Sequence, residues 1–265
     1  MQSQALASSF RLATELKREF YAEYNQVEDV HWWFVARRRI FLTLLDRYMS
    51  RHPAGDRRVL DIGCGTGTML TYLARYGEAE GIDVDAEAID YCRARGLTRV
   101  SRAGADGLPF AKNTFGLVTA LDVIEHIDDD RGALREVQRV LLPGGSFLLT
   151  VPAYRFLWGR QDDINLHKRR YVAPEIRERL RSAGLEVVRL TYINAVLFPA
   201  IAALRLVRHV LPKPATVRSD FTFPAPRPLN FLLGQVFGAE RFMVRRFDIP
   251  FGVSILALAQ KPLES

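Results

Sequence analysis

Val59-Leu60-Asp61-Ile62-Gly63-Cys64-Gly65-Thr66-Gly67-Thr68-Met69-Leu70 is the stretch that decides how this chain is read. An apolar strand ends in an acid, and three alternate glycines turn the chain into a helical pattern. Glycines belong where the backbone needs dihedrals that side chains resist and where a ligand lies against the main chain. Such a turn is shared with nicotinamide- and flavin-binding enzymes, so alone it says little. Here the spacing is G-x-G-x-G, and Thr68 stands where a dinucleotide fingerprint has its third glycine. Asp61, two residues ahead of the first glycine, would repel a pyrophosphate and suits a cationic amino group.

Outward from this turn the pattern is regular. A second strand ends at Asp83-Val84, with Asp83 20 residues beyond Gly63, the spacing at which a carboxylate accepts from ribose hydroxyls. Ala105-Asp106-Gly107-Leu108-Pro109-Phe110 follows the third strand; Asp106 is placed to accept from an exocyclic adenine amine, with Leu108 and Phe110 packing on the base. The fourth strand, in Phe115–Ile127, reaches the same rim with Leu121, Asp122, Glu125 and His126. Helical patterns at Met69–Arg75, Ala86–Arg95, Arg131–Leu142 and Pro174–Ala183 alternate with these strands. The alternation predicts a doubly wound α/β fold with a mostly parallel sheet and its ligands at the strand C-termini. A last strand is expected over Phe251–Gln260, after an apolar and Pro-rich helical insertion spanning 195–250.

The set from Val59 to Pro152 resembles the Rossmann-like class I S-adenosylmethionine-dependent methyltransferases, in particular the broad group that includes ubiquinone- and menaquinone-biosynthesis methyltransferases. The resemblance implies a seven-stranded sheet with an antiparallel last strand. It implies S-adenosylmethionine as cofactor, with Asp61, Gly63, Gly65 and Gly67 at its methionine end and Cys64 among them as a small residue of the turn. Asp83 and Val84 fall to the ribose, Asp106, Gly107 and Leu108 to the adenine, and Leu121, Asp122 and His126 to the neighbourhood of the sulfonium. The flanks resemble a narrower subset carrying HWWF followed by arginines and a later H-x-R-R-Y, here His31–Phe34 with Arg37–Arg39 and His167–Tyr171. Sugar and lipid pathways are the neighbourhoods suggested for that subset.

The expected organisation is an N-terminal helical cap over 1–57, containing the HWWF segment, and a methyltransferase domain over 58–265. Trp33, Arg37, Arg38, Arg170 and Tyr171 are candidates for acceptor contact. Trp33 also reads as an aromatic that docks a helix on the sheet, and the arginines as a solvated helix face. His167 is the candidate general base, oriented by Asp162 or Asp163; the alternative is a hydrogen bond that pins its loop. The expected reaction is methylation of a small or amphipathic acceptor, a sugar-lipid or a prenylated phenol, at oxygen ahead of carbon or nitrogen. A non-catalytic binding partner and a nicotinamide-dependent oxidoreductase are the competing readings.

Composition bounds the rest. With 48% hydrophobic and 25% charged residues the chain is globular, neither disordered nor fibrous. Its net charge of +7 fits anionic lipid or phosphorylated ligands, and no nucleic-acid module accompanies it. Cys64 and Cys92 have no metal-ligand spacing, and no metal is expected. The N-terminus lacks a signal layout and no apolar run reaches the ~18 residues of a span. The expected location is therefore the cytosol, with possible contact to the inner membrane face. That contact falls to 195–211, read either as an interfacial helix or as a buried cap over the substrate pocket.

Overall fold

A computed structural model describes residues 21–49, 57–210 and 225–263. Much of the N-terminal and Pro-rich stretches read above lies outside these residues. The sheet is built from β1 (Arg58–Ile62), β2 (Glu78–Asp83), β3 (Val100–Arg102), β4 (Phe115–Leu121), β5 (Leu141–Pro152), β6 (Glu186–Ile193) and β7 (Ser254–Gln260). Their order is β3-β2-β1-β4-β5-β7-β6. β1 to β5 pair in parallel, and β7 runs antiparallel between β5 and β6. The expected doubly wound sheet with an antiparallel last strand is what forms. Strand order reverses between β1 and β4, and the crevice at such a switch point is where open α/β sheets bind ligands.

The helices are α1 (Trp32–Met49), α2 (Thr68–Leu73), α3 (Ala86–Ala94), α4 (Asp130–Val140), α5 (Arg160–Ile164), α6 (Ala173–Ser182), α7 (Phe198–Val210) and α8 (Arg227–Val244). β4, β5 and β7 are apolar on both faces because each face is covered. On one side Val118, Phe147 and Ile255 pack with Leu134 and Val137 of α4 and Ile176 and Leu180 of α6. On the other, Leu117, Leu148 and Leu256 pack with Ile40, Phe41 and Leu44 of α1 and Phe237 of α8. The HWWF helix therefore shares the core of the sheet. Gly234 and Gly238 let α8 lie close to it; a Cβ on Gly234 would stand 3.6 Å from that of Trp32.

β7 begins at Ser254, three residues later than the apolar pattern suggested. The chain just before it first crosses the end of β6, with Tyr192 N–H on the Ile249 carbonyl and Val253 N–H on the Ile193 carbonyl. Pairing with β5 starts only once that crossing is complete, at Pro152 opposite Ser254.

Candidate active site

The turn after β1 has the conformation its glycines foretell: φ is +68° at Gly63, +54° at Gly65 and +87° at Gly67. A Cβ on Gly63 would meet Val123 at 2.4 Å, whereas Gly65 opens onto free space within 4 Å. The Gly65 N–H donates to Asp83 Oδ2 at 3.0 Å, and the Asp85 N–H donates to Oδ1 at 3.0 Å. Burial pushes the pKa of Asp83 upward, against these backbone bonds. Asp61 is buried beneath the turn and accepts from the Thr119 hydroxyl. Burial raises its pKa to about 7, while the Thr119 bond pulls the other way.

Around this turn the geometry fits an adenosyl group carrying a cationic amino acid. Val84 leaves β2 63% exposed, an apolar surface for a base or ribose to cover. Leu108 is buried, and its N–H donates to Glu136 Oε2 at 2.9 Å. Arg139 donates to the carbonyls of Leu108 and Phe110, so the loop carrying exposed Asp106 and Gly107 is held from beneath. The Cys64 side chain turns away into a small cluster with Leu70, Ile89 and Cys92, so this residue can meet a ligand only through its backbone.

Beyond β4 the rim becomes ionic. Asp122 takes φ +58°, a costly conformation for a residue with a side chain, and Tyr154 and Leu166 on neighbouring loops do likewise. Arg37 forms an ion pair with Asp122 at 2.5 Å and donates to Thr150, while its guanidinium stacks 4.0 Å over Trp33. Desolvation of half-buried Asp122 raises its pKa, yet Arg37 and Thr150 outweigh it and hold the carboxyl below the usual range. Half-buried Leu121 and the ring of His126 flank it. Burial, then the neighbouring His167, lowers the His126 pKa to about 4.

His167 stands with its ring 4.8 Å from that of His126 and its Nδ1 2.8 Å from Asp162 Oδ1. Asp162 is the hub of this region. It takes two bonds from Arg170, one from Gly159 N–H and one from Arg205 of α7. Despite complete burial, the bonds from His167 and Arg170 hold it well below the ordinary carboxylate range. Of the two acids expected beside His167, Asp162 therefore orients it; Asp163 instead accepts from the Trp158 indole. Glu125 is wholly buried, and neither of its carboxylate oxygens has a hydrogen-bond partner.

Several residues expected at the acceptor are engaged elsewhere. Tyr171 lies in the core with its hydroxyl on Asp130 at 2.9 Å, drawn inward because it bridges Ala153 beside β5. Arg170 is committed to Asp162 and the Ala153 carbonyl. Arg37 spends its charge on Asp122, and Arg38 bonds the Glu28 carbonyl and stacks on Tyr72. Of that group only Trp33 stays near the rim, half-buried over Arg37. Two features had not been read from the sequence. An aromatic shelf of Tyr154, Phe156, Phe198 and Phe251 borders the rim. Glu240 of α8 accepts from the N–H groups of Asn194, Ala195 and Val196 and anchors the start of the insertion. The signal for Glu240 was that it is the lone acid of its helix, set among Phe237, Gly238 and Val244.

Residues 60–149 match the family model described as a methyltransferase domain. A Mycolicibacterium smegmatis protein named "Probable S-adenosylmethionine-dependent methyltransferase/" is 31% identical over 187 residues, 69% of this chain and 68% of that one. A ubiquinone biosynthesis O-methyltransferase of Xanthomonas oryzae pv. oryzae is 32% identical over 114 residues, but the match spans only 40% of this chain and 47% of that protein. The crystal structure of the YcgJ protein from Bacillus subtilis superposes with a TM-score of 0.54 at 20% identity, covering 85% of this chain and all of that one. These likenesses set aside the nicotinamide and non-catalytic alternatives, for they join the glycine turn, the ribose acid and the sheet order in one family. The chain belongs to the S-adenosylmethionine-dependent methyltransferases and is an enzyme of that class.

Proposed function

We propose that the enzyme methylates an oxygen of an amphipathic acceptor, a sugar-lipid or a prenylated phenol, and that His167 promotes loss of the acceptor proton. The observation that carries this reading is the His167–Asp162 pair set beside Asp122 at the end of β4, next to the aromatic shelf. S-adenosylmethionine supplies an electrophilic methyl carbon, and transfer requires the acceptor atom in line with it, so positioning provides much of the acceleration. Asp61, the glycine turn, Asp83 and the 106–108 loop hold the cofactor. Asp162 fixes the His167 tautomer by accepting the hydrogen bond from Nδ1–H, which leaves Nε2 as the ring's acceptor. Tyr154, Phe156, Phe198 and Phe251 offer an apolar wall to the acceptor's tail. The similarity to an oxygen methyltransferase of quinone biosynthesis supports oxygen as the target.

The insertion supports a lipidic acceptor at a membrane surface. Among the described side chains of α7, Leu204, Leu206 and Val207 are exposed while Phe198 and Ile201 are half-buried, which supports the interfacial reading over the buried cap. No described helix is long and apolar enough to cross a membrane. The test is a panel of hydroxylated lipids and glycolipids incubated with the enzyme and radiolabelled methyl donor. With the acceptor found, His167→Ala should lower kcat by about 10²–10⁴ while S-adenosylhomocysteine affinity stays unchanged. A His167→Ala enzyme that turns over normally but melts earlier would return His167 to a structural role.

A further inference from the structure

We propose that Glu125, His126 and His167 form a divalent transition-metal site at the acceptor side of the active site. One ligand atom from each lies within 4.8 Å of the others, and His167 Nε2 is 3.9 Å from Glu125 Oε1. Two ligands each about 2.0–2.2 Å from one ion stand about 3–4 Å apart, so small side-chain movements close the set. The expectation of no metal rested on cysteine spacing, which is blind to donors drawn from two separated segments.

Two independent features point to a cation. The first is Glu125, fully buried with both oxygens lacking hydrogen-bond partners. An uncompensated buried carboxylate is costly, and the nearby cations are already engaged: Arg37 by Asp122, Arg170 and Arg205 by Asp162. The second is the orientation of His167. Asp162 can only accept, so Nδ1 carries the proton and Nε2 is left as an acceptor, 3.4 Å from Asn165 Nδ2 and 3.9 Å from Glu125 Oε1. A carboxylate that orients an imidazole from behind is the outer-shell arrangement metal-binding histidines use.

The donor chemistry selects the ion. Two imidazole nitrogens and one carboxylate suit Zn²⁺ and its first-row neighbours, and poorly suit Mg²⁺ or Ca²⁺, which take oxygen ligands. Three protein ligands leave positions open, and both histidines are only half-buried on the rim. This inference rests on the oxygen-acceptor reading and gives His167 its means: it acts as a ligand to a cation that lowers the acceptor's pKa. The acceptor O–H bond breaks and its proton passes to solvent. The freed oxygen pair then forms the C–O bond while the methyl–sulfur bond breaks, its electrons staying on sulfur as S-adenosylhomocysteine.

The experiment is calorimetric titration of Zn²⁺ into chelator-treated full-length enzyme, with Co²⁺ as a visible-absorption probe of the ligand set. One equivalent should bind, and Co²⁺ should develop ligand-field bands. Glu125→Gln, His126→Ala and His167→Ala should each weaken binding by more than ~100-fold, and Asp162→Asn by about 10–100-fold, the range outer-shell changes produce. S-adenosylhomocysteine affinity, unchanged in Glu125→Gln, reports that this near-isosteric variant is folded. No stoichiometric ion in the wild type, or binding indifferent to Glu125→Gln and His167→Ala, overturns the site. Oxygen methylation that survives chelation leaves the acceptor reading standing and the metal fallen; a metal-binding enzyme that methylates only nitrogen or carbon does the reverse.

Discussion

Asp61 sits in a conflict that its position creates. As the proposed partner of a cationic amino group it needs its charge, yet it is buried under a glycine turn with Thr119 as its hydrogen-bond donor. Its pKa of about 7, raised by burial, leaves it largely protonated in acid and ionised in base. A cationic amino group binds the ionised form, so cofactor affinity should fall as pH drops through 7. For one linked proton the loss approaches about tenfold per pH unit below the pKa. Calorimetry of S-adenosylhomocysteine from about pH 8 to about pH 5.5, in buffers of different ionisation enthalpy, reads both affinity and proton release. Asp61→Asn should flatten the profile; a wild-type affinity constant across that range contradicts the assignment. Asp83→Ala should weaken the same ligand by about 1–3 kcal/mol, because the ribose hydroxyls lose a charged acceptor, and unchanged affinity would remove Asp83 from the site. Both acids were legible because each sits at the end of a strand at fixed spacing from the glycines. Tyr171 and Arg170 were misread for the converse reason: H-x-R-R-Y names the residues but not which side of the chain faces the core, and the bridge to Ala153 decides that.

At the level of elements, strand–helix alternation was legible because short, nearly continuous apolar runs alternate with longer segments of 3.6-residue period. What it did not show was how the insertion is tied down. Glu240 lies 45 residues beyond Ala195 and accepts its N–H together with those of Asn194 and Val196. No local pattern links positions so far apart. Burial raises the pKa of Glu240, and the three backbone bonds oppose that rise. Glu240→Ala leaves three donors without an acceptor where the chain leaves β6, and should destabilise the fold by about 3 kcal/mol. Glu240→Gln, which keeps one oxygen, should lose less. Chemical denaturation measures the difference, and limited proteolysis should show faster cleavage within 195–226 in the Ala variant. Equal stability of wild type and Glu240→Ala would mean that water or another donor set replaces the carboxylate without cost.

For the whole molecule, the basic charge of +7 and the outward apolar residues of the insertion bear on where the enzyme works. Leu204, Leu206 and Val207 of α7 are each more than half exposed, as are Phe231, Leu232 and Phe242 of α8. Each is already partly buried, so covering its exposed remainder is worth about 0.8–2 kcal/mol. The sum is of the same order as the roughly 4–15 kcal/mol lost on association, so any attachment is expected to be weak and reversible. Arg205 adds no headgroup contact, since it turns inward to Asp162 and the Leu157 carbonyl. Arg208 lies outside the described side chains, so attraction to anionic lipid has to come from the remaining surface charge. Flotation with neutral and with anionic vesicles separates the two contributions: the apolar part persists in neutral vesicles, and the charged part fades as salt rises. Leu204→Glu and Phe231→Glu replace exposed positions, so each should reduce flotation while leaving the melting temperature near that of the wild type. If the wild type stays unbound with both vesicle types, the enzyme meets its acceptor away from the bilayer. In that case the exposed faces of α7 and α8 have another partner.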